Sequence, residues 1–419
     1  MPSSENLKTV TLKLLEYCQA NDWAGYDPYD ALNSKVFNAL PFFDFRLPRL
    51  VLTQLMKKSP INFRPLLLVP KTQNPKAIAL FLMAFLKLKR LGLLEDESLI
   101  ALMIEKLINL RSPTNPSNPI NSSNPNNPSN SNNNYWCWGY NFDWQNRYEL
   151  VPKFAPNIIC TTFAANALLD VFESYPKPEY LDMAVSAGRF LLTGLNILRD
   201  DSGLCFSYTE RDHSQVHNAN FHGAALLSRL HNLTGERGFL DFALRAAKFS
   251  ISRQNADGSW YYGESSTQHW IDNFHTGYNL CALRAISQYA GTADFDSQIR
   301  RGFEFYRRNF FRKDGGPKYF HDRAYPIDIH NVAQSIITLL ALKDLDEGSV
   351  SVALSVLSWA MTHMWDERGN FYYRVLPFCK IKIPYMRWSQ AWMLLALSTL
   401  LEHYDKNIET GPIEANQLQ

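Results

Sequence analysis

The chain has 419 residues, 46% of them hydrophobic and 13% aromatic, and its 42 basic and 40 acidic side chains leave a formal net charge of +2. This length suffices for a large core, and the near-neutral charge excludes a global field that would attract nucleic acid. The chain start lacks a signal region, no apolar run reaches the roughly 20 residues that span a bilayer, and the six cysteines form no CxxC pair. We therefore expect a cytoplasmic protein with reduced thiols, no transmembrane segment and no nucleic-acid partner.

Apolar residues recur at helical spacing in two sets of segments that alternate along the chain. The outer set is charged on one face and comprises residues 7–20, 97–110, 179–195, 239–252, 295–310 and 350–364. The inner set is apolar nearly all round, as expected of helices buried on both sides, and comprises residues 75–88, 157–172, 218–230, 272–287, 328–342 and 388–401. We expect six outer and six inner helices.

A Gly-aromatic stretch precedes each of the last five inner segments and returns about every 55 to 60 residues. Such a period marks one supersecondary unit that buries its apolar face on its neighbours. The sequence therefore predicts an all-α protein, an (α/α)6 toroid of six helical hairpins with short, β-like Gly-aromatic loops at one end. We expect one domain over residues 1–419, with a core from about residue 7 to residue 405. Because the long loops all precede inner helices, helix N-termini that favour anions should converge on one mouth.

Residues 112–134 consist almost entirely of Asn, Ser and Pro. This composition provides no apolar area to bury, so it predicts a disordered surface insert that interrupts one unit without ending the domain.

The loop before the second inner segment holds the densest group of candidate site residues. Trp138, Tyr140 and Trp144 offer faces for stacking on sugar rings, while Asp143 and Arg147 offer an acceptor for hydroxyls and a cation for an anionic group. The alternative is a loop packed by its own aromatic rings, with an internal pair between Asp143 and Arg147.

Histidines recur at the starts of the next three inner segments, where His222, His275 and His330 stand near the predicted N-termini. Histidine suits proton transfer near neutral pH, so we predict that His275 and His330 act with Asp272 or Asp143 as the catalytic groups. The alternatives are that Asp272 only caps its helix and that the histidines fill the core.

Further residues at the predicted mouth complete the candidate site. Arg387 is expected to bind an anionic group or to form a salt bridge with a neighbouring loop, and Tyr26 lies in a turn that would close the seam of the ring. The predicted substrate contacts are Tyr26, Trp138, Tyr140, Trp144, Arg147, His222, Trp260, Tyr278, Gln334, Arg387 and Trp388.

Motifs for cofactors and metals are missing from the sequence. It contains no HExxH, no zinc-spaced cysteines, no GxGxxG before a helix, no P-loop and no GxSxG elbow. We predict no cofactor and no metal, although a metal held by Asp272, His275 and His330 stays an alternative.

Two resemblances follow from these motifs. Residues 254–260 (QNADGSW) resemble the repeat of triterpene cyclases and protein prenyltransferases, but the acidic DxDD and a zinc set are missing. The whole repeat plan, from about Trp23 to Leu401, resembles the six-hairpin glycosidase-like superfamily of hydrolases, uronate lyases and epimerases. Residues 25–34 (GYDPYDALNS), 138–145 (WGYNFDWQ) and 274–278 (FHTGY) resemble toroid proteins associated with bacterial polysaccharide biosynthesis. No catalytic residues carry over from them.

These observations predict a carbohydrate-active enzyme that modifies an anionic, uronate-containing saccharide in surface polysaccharide biosynthesis, as a hydrolase, a lyase or an epimerase. One alternative is a non-catalytic toroid that binds a glycan or partner proteins of glycan biosynthesis. Another is isoprenoid chemistry like that of the cyclases and prenyltransferases, which the polar starts of the inner helices disfavour.

Overall fold

The computed structural model describes residues 4–40, 45–113, 135–145 and 149–409, with side chains as far as residue 405. The predicted insert, from residue 114 to its end, and Arg147 lie outside these residues.

Fourteen helices, two of them unforeseen, follow one another within the described residues. The predicted inner and outer helices all form, with ends within a few residues of those expected except in the last inner helix, which continues to Glu409 instead of ending at Leu401. The helices are α1 (Ser4–Ala20), α2 (Lys35–Asn38), α3 (Arg46–Lys58), α4 (Pro75–Arg90), α5 (Ser98–Asn109), α6 (Ile158–Ser174), α7 (Pro178–Thr193), α8 (His217–Thr234), α9 (Arg237–Ile251), α10 (Asn273–Ala290), α11 (Asp296–Asn309), α12 (Ile329–Ala341), α13 (Ser349–Met364) and α14 (Trp392–Glu409).

The six inner helices α4, α6, α8, α10, α12 and α14 form a closed ring. Each contacts the next one, and α14 contacts α4. The outer helices α1, α5, α7, α9, α11 and α13 pack around this ring, and α7 and α9 each contact two inner helices. The inner helices are therefore buried on both sides. The prediction of an (α/α)6 toroid is confirmed. None of the described helices is both long and apolar enough to cross a membrane.

A repeated backbone bond places the long loops side by side at one end of the ring. In five units the first amide of the inner-helix segment donates to the carbonyl of a tyrosine in the following unit's loop. The sixth inner helix begins with Pro75, which has no N–H to donate. The five donor and acceptor pairs are Ile158 with Tyr208, His217 with Tyr262, Asn273 with Tyr319, Ile329 with Tyr373, and Met386 with Tyr26.

Short strands stiffen these loops, as the Gly-aromatic stretches predicted. Their pairing is antiparallel, in hairpins and one three-stranded sheet of order β5-β8-β9. The strands are β1 (Trp144–Gln145), β2 (Leu150–Val151), β3 (Ile197–Asp200), β4 (Gly203–Phe206), β5 (Ile327–Asp328), β6 (Trp365–Asp366), β7 (Asn370–Phe371), β8 (Arg374–Val375) and β9 (Lys380–Ile381).

Two helix starts differ from those expected. Helix α8 begins at His217 after Val216, whose side chain makes no capping bond, so Asn218 lies inside the first turn and does not cap. The last inner helix is preceded by a π-helical segment, Met386–Ala391, which places Trp388 ahead of α14. Asn157, Asp272 and Asp328 do cap their helices, because each side chain accepts a bond from a first-turn amide.

Candidate functional site

A cavity of about 1100 Å³ opens at the end of the ring where the long loops lie. The starts of the inner helices form its floor, and the loops form its walls. Aromatic rings line much of it, namely Tyr29, Tyr140, Phe142, Trp144, Tyr208, Tyr262, Trp270, Phe274, Tyr278, Tyr319, Phe320 and Trp388.

His275 and Asp272 form a hydrogen-bonded dyad on the floor of this cavity. The Asp272 Oδ1 accepts the His275 backbone amide at 2.9 Å, and its Oδ2 lies 2.7 Å from His275 Nδ1. Because a carboxylate only accepts hydrogen bonds, Nδ1 carries a proton, and the neutral imidazole then has its lone pair on Nε2. No described protein atom hydrogen-bonds to Nε2, and the side chain is 21% exposed. His275 Nε2 is therefore available to accept a proton from a ligand in the cavity.

The Tyr278 hydroxyl, one helical turn after His275, bonds His330 Nε2. Burial, with the nearby cations Lys76 and Arg387, holds the pKa of His330 well below its usual value. His330 is therefore neutral, and the expectation that it titrates near neutral pH is wrong. Burial also raises the pKa of Tyr278 well above its ordinary value, so its hydroxyl keeps its proton. His330 Nδ1 has no partner among the described atoms.

Lys76, in the first turn of α4, is a buried cation without a described carboxylate partner. Its Nζ lies 4.1 Å from the ring centre of Phe163, 5.4 Å from that of Tyr278 and 5.1 Å from that of Trp392. Burial, followed by the charge of Arg387, lowers its pKa to about 7. A buried ammonium without an anion is unfavourable, so this position favours an anionic ligand or a neutral amine.

Stacked rings form the walls above the dyad. Tyr262 and Trp270 lie parallel at 4.5 Å, and Trp270 Nε1 donates to Asp272 Oδ2. On the opposite loop, Tyr140 and Phe142 stack at 5.2 Å. Flat, rigid faces of this kind suit the apolar faces of sugar rings.

Arg387 and Trp388 are held by carboxylates of other units. Arg387 donates through Nε and Nη2 to both oxygens of Asp27, at 2.6 and 2.8 Å, so its charge is already balanced. This is the salt bridge to a neighbouring loop that the sequence left as an alternative. Asp328 accepts Trp388 Nε1 at 2.8 Å and Arg374 Nη2 at 2.7 Å, which fixes the indole in the wall.

Glu149, Asp212 and Glu264 also line the cavity, and neighbouring groups bond Asp212 and Glu264. Asp212 accepts the amide and the hydroxyl of Ser214. Glu264 bonds His217 Nε2 at 2.9 Å and lies 3.6 Å from Arg253, and the bond from His217 lowers the pKa of Glu264. Among the described residues, no three Asp, Glu, His or Cys side chains converge as metal ligands.

The structure separates the predicted site residues into two groups. Asp272, His275, His330, Tyr140, Trp144, Tyr278, Arg387 and Trp388 line the cavity.

The remaining predicted residues do not line the cavity, and Arg147 lies outside the described residues. Asp143 accepts the Lys153 amide, Tyr26 joins the seam, and Gln334 bonds Thr338 within the core. Trp138 and Trp260 are buried, with their indole N–H groups bonded to backbone carbonyls. Their role is to pack the loops, as the alternative interpretation of the aromatic residues holds. Desolvation lowers the pKa of His222 to about 3, so this half-buried side chain, which packs against Phe163 and Tyr278, is neutral.

Sequence reasoning overlooked Lys76, Tyr208, Trp270 and Tyr319. A signal for the two tyrosines was present, because they occupy the repeat position that accepts an inner-helix amide, as Tyr262 does. No comparable signal marks Lys76, whose ring contacts come from three different helices.

Solved structures of other proteins share the architecture of this chain, although no family model and no curated protein matches its sequence. A cellobiose 2-epimerase from Bacillus thermoamylovorans is similar, with 13% identity over 80% of this chain and 88% of that chain and a TM-score of 0.59. A GH76 alpha-mannanase from Bacteroides thetaiotaomicron has 13% identity over 81% and 88%, with a TM-score of 0.58. A possible GH105 family member from Salmonella enterica serovar Paratyphi A has 11% identity over 96% and 95%, with a TM-score of 0.58.

The likeness establishes the fold. At such low identity it does not extend to a reaction, which has to be argued from the cavity.

Proposed function

We propose that this protein is a carbohydrate-active enzyme that moves a proton on a saccharide carbon next to a carbonyl or carboxyl group, as epimerases, isomerases and eliminating lyases do. The observation that carries this proposal is the dyad of Asp272 and His275, whose Nε2 has no described hydrogen-bond partner. The His275 ring lines an aromatic cavity together with Tyr278, and the two ring centres lie 6.1 Å apart. A fold shared with a cellobiose 2-epimerase is consistent with such chemistry.

In the proposed step, His275 Nε2 removes the carbon-bound proton, and the electron pair moves onto the adjacent oxygen. The neutral Tyr278 hydroxyl donates a hydrogen bond to that oxygen. This donation is favoured when His330 bonds Tyr278 through its Nε2–H, because the tyrosine hydrogen is then free for the substrate. Return of a proton to the opposite face of the same carbon gives the epimer. Return to the neighbouring carbon, with transfer of that carbon's hydroxyl proton to the first oxygen, gives the isomer.

Hydrolysis by two carboxylates has less support. That mechanism needs a protonated acid and an ionised partner that both reach the glycosidic bond. Of the four described carboxylates that line the cavity, those of Asp212, Glu264 and Asp272 bond neighbouring side chains or amides. None of these three is free to act with the fourth carboxylate, that of Glu149. The histidine dyad is the better source of acid–base chemistry in this cavity.

We further propose that the saccharide is anionic and that Lys76 binds its charged group. Lys76 lines the cavity, lacks a described acid partner and lies near the same Tyr278 ring as the dyad. Arg387, which the sequence favoured for this role, is neutralised by Asp27. A uronate carboxylate would supply the negatively charged partner that Lys76 lacks among the described residues.

Exchange of carbon-bound hydrogen with the solvent tests the proposed reaction, and this test does not require the product to be known. The protein is incubated in D2O with a panel of aldoses, reducing disaccharides and uronate oligosaccharides, and NMR follows loss of carbon-bound hydrogen signals. We expect exchange with at least one member and a fall of about 10²-fold or more in His275→Ala. His363→Ala is the matched control, because His363 lies on the outer helix α13, away from the cavity lining, and bonds the Trp359 carbonyl.

The outcomes separate the alternatives. If a saccharide raises the melting temperature but no member exchanges, the toroid binds glycans without catalysis. Release of a reducing end without exchange would establish hydrolysis and overturn the proposal. Normal exchange in His275→Ala would remove the dyad from the mechanism.

The wider context rests on the sequence resemblance alone. We propose that the saccharide is an intermediate of surface polysaccharide assembly in the cytoplasm. Deletion of the gene should then change the sugar composition of the cell-surface polymer, and an unchanged composition would contradict this placement.

A further inference from the structure

Exposed apolar side chains are concentrated in one segment of the chain. Of the twelve exposed large hydrophobic residues among those described, ten lie between residues 36 and 68. We call the six most exposed of these the apolar patch, and each is more than half exposed. The apolar patch consists of Phe45, Leu47, Leu55, Ile61, Leu66 and Leu68.

Helix α3 holds two residues of the apolar patch, Leu47 and Leu55, at the rim of the cavity, and the other four lie in the chain on either side of it. Leu52 and Met56 bury one face of the helix in a small separate core with Ala31, Leu32 and Val69. A second face contributes Leu50 and Lys57 to the cavity wall. The third face carries Leu47, Val51 and Leu55 at intervals of four residues, and these side chains point away from the protein. Leu47 and Leu55 of the patch therefore protrude from an ordered helix beside the mouth.

Basic residues surround the apolar patch. Between residues 31 and 71 the sequence has seven lysines and arginines against one aspartate. Arg64 is buried and bonds Asp30 at 2.6 Å, which ties the segment to the ring. Lys35, Arg46 and Lys58 are exposed, and none of them forms an ion pair within the part of the chain that is described. A chain of almost neutral overall charge thus places a local positive field around its most apolar surface.

We propose that the apolar patch is a membrane-docking surface that inserts into the interface of a bilayer containing anionic lipids and holds the cavity mouth against it. Apolar side chains flanked by lysine and arginine are the composition of interfacial helices that lie in the plane of a membrane. Interfaces between proteins, in contrast, are depleted in lysine. The positive charges complement a bilayer surface that carries negative lipid headgroups. The inference does not depend on the proposed reaction.

Vesicle sedimentation tests this surface with the full-length protein. Vesicles of phosphatidylcholine and phosphatidylglycerol at 3:1 should bind the protein at low salt, and pure phosphatidylcholine should bind it more weakly. Leu47→Asp with Leu55→Asp should lower binding about tenfold or more, since two inserted side chains become charged. Arg46→Ala with Lys58→Ala should lower binding to the anionic vesicles by about tenfold and leave binding to pure phosphatidylcholine unchanged.

Phe378→Asp is the matched control. Phe378 is fully exposed but lies outside the patch, so its replacement should leave vesicle binding unchanged. Because the replaced side chains are exposed, the melting temperatures of all variants should match that of the unsubstituted protein. Failure of the protein to sediment with either vesicle would overturn the proposal. So would a dimer in light scattering that Leu47→Asp with Leu55→Asp dissociates, because the patch would then be covered by a second copy.

Discussion

Arg387 and Asp27 lie 360 positions apart in the chain and form a buried ion pair with two hydrogen bonds, at 2.6 and 2.8 Å. The guanidinium belongs to the π-helical segment that leads into the last inner helix, and the carboxylate belongs to the loop of the first unit. Beside this pair the Met386 amide donates to the Tyr26 carbonyl, which is the bond that recurs between the other units. The pair therefore joins the last unit of the ring to the first, which the chain does not connect directly.

Replacement of Arg387 by Met should destabilise the protein strongly. Both partners are about 4% exposed, so the variant leaves Asp27 as a buried charge without its cation. Loss of one partner of such a pair typically costs about 3–5 kcal/mol. Urea denaturation monitored by tryptophan fluorescence measures the change.

Two further variants show whether the cost comes from the uncompensated charge. Asp27→Asn combined with Arg387→Met should cost less than Arg387→Met alone, because no buried charge remains. Arg323→Met removes the partner of Asp322 at the exposed surface and should cost no more than about 1 kcal/mol. A similar cost for the single and the double variant would mean that packing, and not charge, closes the seam.

The ring could be predicted because its information is local and repeated. Helical apolar spacing and the period of the Gly-aromatic stretches determine which segments lie inside, and the order of the units determines the end with the mouth. The dyad could be predicted for the same reason. The side chain of an N-cap residue such as Asp272 bonds the residue three positions later, here His275.

The remainder of the site depends on contacts between distant units. Arg387 was identified, but nothing near it in sequence shows that Asp27 takes its charge. Trp138 and Trp260 have the same local pattern as the lining aromatic residues, yet their indole N–H groups bond backbone carbonyls in the core. Whether an aromatic ring faces sugar or core depends on the side of the loop it occupies, which the repeat does not specify.

The effect of Lys76 on stability should depend on pH. Its pKa is about 7 in the folded protein and about 10.5 when unfolded, so the unfolded chain binds more protons between these values. The free energy of unfolding should therefore rise with pH in this window, by up to about 1.4 kcal/mol per unit. Lys76→Met lacks this contribution, and the comparison cancels the other titrating groups. Chemical denaturation at pH 7, 8 and 9 checks it, and parallel curves for the two proteins would contradict the assignment.

Residues 114–134 should be replaceable by a short Gly-Ser linker. Hydrogen bonds already hold the residues before this segment against those after it. Arg111 Nη2 donates to the Tyr135 carbonyl at 2.8 Å, and the Ser112 amide donates to the Cys137 carbonyl at 2.9 Å. Loop-closure entropy changes by only about 0.6 kcal/mol for each halving of the loop length. We expect a change in stability of about 1 kcal/mol or less by urea denaturation. A loss of several kcal/mol would show that the segment packs on the ring.

Removal of the Tyr278 hydroxyl should slow the proposed reaction without abolishing binding. Tyr278→Phe keeps the ring against Trp392 and Phe163 but deletes the group that bonds His330 and would stabilise the developing oxyanion. Loss of one such donor lowers the turnover number by about 10² to 10³. The D2O exchange assay measures this rate, and the melting-temperature shift with saccharide reports binding.

Tyr208→Phe is the matched control for this prediction. The Tyr208 hydroxyl also lines the cavity, but it bonds Tyr140 at 3.0 Å and makes no described contact with the dyad or His330. Its loss should change the exchange rate by much less than the loss of the Tyr278 hydroxyl. Equal reductions in the two variants would indicate that the hydroxyls only shape the cavity. An unchanged rate in Tyr278→Phe would assign the donor role to another group and leave His275 as the sole acid–base residue of the proposal.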